Sequence, residues 1–276
     1  MKNWVYISSD IEGCAWASNY IECDENSDVY QVFRTVMSVE LSTIIDSIIY
    51  PANILLRDAH GNARNVLKKL LPGNVKLIRG WDNDPTNMMK GINSRKFDFA
   101  CLHGYHAAAG TGLSPLAHTF SSKNLGTFTL NGHVVGETIF SIYTAAYFGV
   151  PVIYICGDYG AVTEAKSINP NIVGTVTKKF KSQGRFMLSA TDVLEKIKTD
   201  FTMAQDAFYK NPRKFDVKLP KKFILTIQYL DKKQTDLHLT KMKNVKKVAA
   251  DTLKYETCDF YDLLKTMRKL KVLIRK

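Results

Sequence analysis

Six residues of this chain of 276 have the types and positions that metal chemistry needs: Asp10, Glu12, His60, His106, His118 and Glu137. Asp10 and Glu12 stand two apart in DIEG, where the apolar run Trp4 to Ser9 ends, and Gly13 follows them. His60 sits in RDAHG, directly after the apolar run Asn53 to Arg57. His106 sits in GYHA, just past the run Phe97 to Leu102. His118 lies in the Gly-, Ala-, Ser- and Thr-rich stretch that runs on from there, and Glu137 closes that stretch after Gly136. Carboxylates and imidazoles at strand ends, with a carboxylate opening the next helix, suit a bound cation. A mixed oxygen and nitrogen set fits zinc or manganese. Two ions about 3.5–4 Å apart can activate water and clamp an oxyanion during hydrolysis. Each motif alone also reads as an ordinary polar strand end, and spacing by itself does not choose between a metal pair and unrelated polar ends.

The elements that must position these groups alternate. Trp4 to Ser9, Asn53 to Arg57, Val75 to Ile78, Phe97 to Leu102 and Pro151 to Cys156 are short apolar runs expected as buried strands. Between them, apolar residues from Val29 to Ile48 recur at helical spacing until Pro51, and helices are expected over 63–71 and 138–148. Asn131-Gly132, between Phe128-Thr129-Leu130 and Val134-Val135, is a hairpin signal. Strand, helix and strand with short links predict an α/β fold: an open, mainly parallel sheet with helices on both faces. From about residue 171 the pattern changes. A long helix over 190–208, a strand over 223–229, short strands over 235–239 and 249–253, and a last helix over 259–270 capped by Asp259 predict a smaller C-terminal α+β domain. The domain expectation is therefore 1–170 and 171–276.

Composition narrows the function. With 45% apolar and 23% charged residues the chain reads as soluble and globular. No signal peptide is expected, because Asp10 interrupts the N-terminus before an apolar run of useful length. Residues 138–157 carry no charge, but Gly149-Val150-Pro151 divides them, so a buried helix, a turn and a buried strand are expected rather than a membrane span. Five cysteines without a CxxC pair fit a reducing cytoplasm and packing roles. The net charge of +12 is uneven: residues 1–170 hold 13 Lys/Arg against 15 Asp/Glu (−2), and residues 171–276 hold 25 against 11 (+14). Of the 38 basic residues 29 are Lys and 9 Arg, with no nucleic-acid motif, so solvated lysine faces are expected rather than specific nucleic-acid binding.

Taken together and in order, SSDIEG, RDAHG, GYHA, AHTFSS, NGHVVGE and ICGD resemble the DppA-type zinc D-aminopeptidases, over about residues 10–165. The resemblance implies two zinc ions per chain held by Asp10, Glu12, His60, His106 and Glu137, with Asp10 as the bridge. It implies His118 as the catalytic histidine, nucleophile or general base. It implies metal-assisted hydrolysis of the N-terminal amide of a short peptide or amino-acid amide by a D-stereospecific aminopeptidase. It also implies a homo-oligomeric ring, a decamer among the sizes to be tested, with the basic domain serving assembly or covering the site. Two features depart from the family pattern: Cys14-Ala15-Trp16 is bulkier than usual after DIEG, and His103 replaces an apolar residue, where packing or a hydrogen bond behind the ligands is expected. Asp58 is a candidate for orienting His60, and His133 and His238 read as surface residues. Two other readings remain at this stage: a hydrolase of a non-peptide amide, and a non-catalytic binding module using the basic half.

The charge reading has a direct check. Fluorescence anisotropy with several DNA and RNA sequences at about physiological salt should show no sequence selectivity; selective binding would contradict the assignment of the lysines to solvent.

Overall fold

The computed structural model describes residues 3–181, 184–239, 242 and 244–270. In chain order these form β1 (Asn3–Ser9), α1 (Tyr20–Cys23), α2 (Tyr30–Asp46), β2 (Ala52–Asp58), β3 (Val75–Ile78), β4 (Phe99–Tyr105), β5 (Leu125–Leu130), β6 (His133–Val134), α3 (Glu137–Tyr147), β7 (Val152–Asp158) and α4 (Tyr159–Ile168). Then come β8 (Val173–Lys181), β9 (Gly184–Met187), α5 (Ala190–Lys210), β10 (Phe223–Tyr229), α6 (Lys233–Leu239), β11 (Val245–Ala249), β12 (Thr252–Thr257) and α7 (Phe260–Lys269).

Seven strands make one open sheet in the order β3-β2-β1-β4-β7-β8-β9. Every pairing in it is parallel except β8 with β9. Both faces are covered, as a parallel sheet requires. The period of two along β1 divides its side chains. Val5 and Ile7 pack with Met37, Leu41 and Ile44 of α2 and Phe201 of α5 on one face. Tyr6 joins the core on the other face, with Ile139 and Phe140 of α3, Ala161 and Val162 of α4, and the second sheet. The chain runs outward from β1 through β2 to β3, then returns to place β4 on the other side of β1. That reversal leaves a crevice at the carboxyl ends of β1 and β4, where α/β proteins bind ligands.

The second sheet is antiparallel, in the order β11-β12-β10-β5-β6. It buries Phe223, Leu225, Ile227 and Tyr229, the alternate residues of β10. Its β5–β6 hairpin turns on Asn131 and Gly132 at φ 54° and 85°, the left-handed pair that an Asn-Gly turn supplies. Sheet membership crosses position 170 in both directions, since β8 and β9 belong to the first sheet and β5 and β6 to the second. Residues 138–157 form α3, a turn at Gly149 (φ 71°) and β7. No described helix is long and apolar enough to cross a membrane.

Several sequence expectations need correction. Residues 63–71 form no α-helix; only Lys68–Leu70 make a 3-10 turn. The Asp58 carboxylate takes the backbone N–H groups of Asn65 (2.6 Å) and Val66 (2.9 Å) and the Asn65 side-chain amide (2.6 Å), wrapping the chain around itself instead. Residues 235–239 lie in helix α6, and 249–253 straddle the turn between β11 and β12. His238 is buried, not at the surface, with its ring 5.6 Å from that of Tyr229. His133 is exposed as expected. Helix α4 and strand β8 carry no sequence expectation; β8 ends in Lys178, Lys179 and Lys181, in a segment whose charge reads as solvated.

Candidate metal centre

All six candidate residues converge at the crevice. Asp10 follows β1 directly and Glu12 lies one turn on; His60 follows β2, His106 follows β4, and Glu137 is the first residue of α3. His118 comes from the loop between β4 and β5. The loop after β1 can lie this close to β4 only because of glycine. A Cβ on Gly13 would stand 1.9 Å from the Tyr105 carbonyl oxygen, and one on Gly104 (φ 69°) 2.0 Å from that of Asp10. Asp10 N–H donates to the His103 carbonyl (2.8 Å) and Gly13 N–H to that of Gly104 (2.7 Å), pinning the loop to β4.

The imidazoles share one arrangement. His60 donates from Nε2 to the Cys23 carbonyl (2.8 Å), His106 from Nδ1 to the Ala107 carbonyl (3.0 Å) and His118 from Nδ1 to the Leu116 carbonyl (2.9 Å). A carbonyl only accepts, so each ring's N–H is fixed outward and its other nitrogen faces the carboxylates. His60 Nδ1 stands 3.1 Å from Asp10 Oδ1 and 2.8 Å from Glu12 Oε2. His106 Nε2 stands 3.6 Å from Asp10 Oδ2 and 3.7 Å from Glu137 Oε2. His118 Nε2 is 3.8 Å from both Glu12 Oε1 and Glu137 Oε1, and its ring stacks on that of His106 at 4.1 Å. The two oxygens of Asp10 thus face different histidines. Donor atoms gather as Asp10, Glu12 and His60; as Asp10, His106 and Glu137; and as Glu12, His106 and His118.

A divalent cation fits these residues. Asp10 Oδ2 and His106 Nε2 are buried and face each other without a hydrogen-bond partner, too far apart for one and well placed for two bonds to an ion between them. Another buried cluster, Cys14, Glu40 and His103, offers the contrast. His103 donates from Nε2 to Glu40 (2.9 Å) and takes the Ser9 hydroxyl at Nδ1 (2.8 Å), while the other Glu40 oxygen accepts from Ala15 N–H (2.8 Å). That network is closed and braces the loop after β1. The hydrogen bond expected of His103 is there, made to residues behind the candidate ligands.

Burial makes the electrostatics severe. Burial, then repulsion from Glu12, pushes the Asp10 carboxyl up to about 7. Burial also works against ionised Glu12, but the charges of His60 and His106 outweigh it and hold Glu12 well below the usual carboxylate range. Burial lowers His60 and His106 as well, yet Glu12 beside the first and Glu137 beside the second raise both to about 10. Without a metal, protons on the imidazoles carry the positive charge that the carboxylates require.

Other residues hold the ligand types in place. Asp158, at the end of β7, accepts the N–H of Ala107 (3.0 Å) beside His106 and caps α4 through Ala161 N–H (2.9 Å). Glu137 accepts Phe120 N–H at 2.6 Å, and Glu164 accepts Gly136 N–H at the start of α3. Asp58 does not reach His60. It holds Asn65, whose amide donates to the His60 carbonyl (2.7 Å), so the orientation is indirect. The ICGD motif marks Asp158 in the sequence without revealing its partner. Glu164 has no local signal, because its partner is 28 residues away.

Fold and centre together define the class: an open α/β sheet carrying a buried carboxylate–imidazole cluster at its switch point. The peptidase M55 family model, described as D-aminopeptidase, matches residues 1–269. The chain belongs to that D-aminopeptidase family and is a peptidase. It is 25% identical to the D-aminopeptidase of Bacillus subtilis (strain 168) over 269 residues, 95% of this chain and 94% of that protein. Its fold is similar to that of the Zn-dependent D-aminopeptidase DppA from Bacillus subtilis, described as a self-compartmentalizing protease: the TM-score is 0.86 at 24% identity, over 99% of this chain and 98% of that one. Family membership sets aside a non-catalytic binding module.

The pKa directions predict how the metal-free protein responds to pH. A histidine raised in the folded state stabilises fully below its unfolded value, about 6.5, and loses that contribution as pH climbs through the folded value. For His60 and His106 the window runs from about 6.5 to about 10. Asp10, raised to about 7, acts in the same direction at lower pH. Thermal melts of chelator-treated protein should show a lower Tm at pH 9.5 than at 6.5; a Tm that holds or rises would contradict the assignment.

Proposed function

We propose that the chain is a D-stereospecific aminopeptidase that uses two zinc ions to hydrolyse the N-terminal amide of short peptides or amino-acid amides. Asp10, Glu12 and His60 would hold one ion, and Asp10, His106 and Glu137 the other, with Asp10 shared. The observation that carries this reading is the orientation of the imidazoles, each tied outward to a carbonyl and turned inward onto a common set of carboxylates. Such outward hydrogen bonds fix the tautomer of metal-bound histidines. When bound, the zinc pair supplies a hold on the substrate's free amine and polarises the scissile carbonyl.

His118 is the residue for the proton or the attack. Its Nδ1–H rests on the Leu116 carbonyl, leaving Nε2 toward the centre as acceptor or nucleophile. The carbonyl supports the imidazolium once Nε2 has taken a proton. Tyr20 stands edge-on to the His118 ring at 5.9 Å and remains partly exposed, which puts it at the mouth of the site. One observation favours a second role: Glu12, His106 and His118 offer donor atoms close enough to share an ion.

The cytoplasm suits a protein whose cysteines are all free thiols, four of them buried. A homo-oligomeric assembly is the state proposed, since the Bacillus subtilis DppA is a self-compartmentalizing protease; a decamer is one ring size to test. In that assembly the basic segment 171–276 would make subunit contacts or cover the site, and residues 1–170 would form the metal-binding catalytic domain.

Protein reconstituted with excess zinc and desalted should retain about two ions per chain by elemental analysis. His118→Ala should keep that content and the assembly but lose about 10²–10⁴-fold in kcat, whereas His106→Ala should lose zinc as well as turnover. A metal-depleted His118→Ala would make His118 a ligand, and a wild-type protein holding no zinc would overturn the proposal.

A further inference from the structure

The loop that carries Glu12 is held on its far side by two neighbouring residues of β8. Lys178 is fully buried, and its ammonium donates to the carbonyls of Glu12 (2.6 Å) and Cys14 (2.5 Å). Thr177, also fully buried, donates its hydroxyl to the carbonyl between them, that of Gly13 (2.7 Å), with the Gly157 carbonyl next nearest at 3.1 Å. Three successive carbonyls, those of residues 12, 13 and 14, therefore end on this one pair of side chains.

Regular strand geometry forbids such a grip, because adjacent side chains leave a strand on opposite faces. The register explains it. Gly157 pairs with Val176 but Asp158 pairs with Lys178, so Thr177 is the extra residue of a bulge. A bulge re-aims side chains locally, and here it sends two consecutive ones to the same loop. A buried ammonium needs compensation for its lost hydration. Lys178 finds it in backbone carbonyls rather than in a carboxylate. It thus holds the loop by its backbone without occupying a carboxylate oxygen.

We propose that Thr177 and Lys178 are positioning residues for Glu12, setting the backbone from which its carboxylate reaches the metal centre and so setting zinc affinity. The inference rests on the zinc reading above. The opposite side of the loop is fixed by the backbone bonds from Asp10 and Gly13 to β4 and its end by Ala15 N–H on Glu40; the β8 pair is the constraint that takes the carbonyls of residues 12 to 14. Lys178→Met removes the ammonium at similar length. Thr177→Val removes the hydroxyl at equal shape, and Thr177→Ser keeps it.

The test is zinc affinity of the full-length assembly, by competition with a chromophoric chelator, with the visible spectrum of the cobalt(II)-loaded protein as a record of ligand geometry. Circular dichroism and light scattering check folding and assembly. Lys178→Met should bind zinc at least about tenfold more weakly, in the range that outer-shell partners of metal ligands command. Thr177→Val should weaken binding in the same direction with an altered cobalt spectrum, and Thr177→Ser should restore both. If Lys178→Met fails to fold, the Thr177 pair decides. Folded variants with wild-type zinc affinity and an unchanged cobalt spectrum would overturn the inference. Absence of zinc binding by the wild-type protein would instead overturn the zinc reading itself.

Discussion

Burying like charges together is the constraint on which the structure turns. Asp10, Glu12 and Glu137 are withdrawn from water within one small volume, where ionised carboxylates repel one another and lack solvation. Positive charge has to be supplied. In the metal-free protein His60 and His106 supply it by holding protons to about pH 10. A divalent ion would supply the same charge through the same atoms, and protons would have to leave the imidazoles for it to bind. On the proposed reading, cation binding and folding stability are two expressions of one electrostatic requirement.

Holding such groups together takes rigid support from several elements. Glycine at positions 13 and 104 lets the loop after β1 touch the end of β4. The Glu40–His103–Ser9 network braces that loop from α2, Asp158 fixes the backbone beside His106, and Lys178 and Thr177 secure the turn from β8. The centre thus draws on residues from both sides of position 170. The chain's two compositional halves likewise share both sheets.

The sequence exposed the strand-end groups because each follows an apolar run that could only be a buried strand, and the order of those runs was enough for the parallel sheet. It did not expose contacts made across the fold. Lysine in VGTVTKKFK reads as a solvated face, yet Lys178 is buried, because its carbonyl partners lie 164 to 166 residues earlier in the chain. The helix expected over 63–71 is lost to the side chain of Asp58, which competes for the backbone N–H groups of residues 65 and 66. His238 reads as a surface residue in a basic segment, but α6 turns it against Tyr229. In each case a specific side-chain contact, which composition and periodicity do not report, decided the outcome.

On the proposed reading Asp10 joins two neighbouring cation positions. Anomalous diffraction collected at the zinc absorption edge, from crystals of the zinc-loaded protein, tests it most directly. Two anomalous peaks about 3.5–4 Å apart are expected, one among Asp10, Glu12 and His60 and one among Asp10, His106 and Glu137. A single peak, or a pair away from Asp10 with that carboxylate left to hydrogen bonds alone, would contradict it.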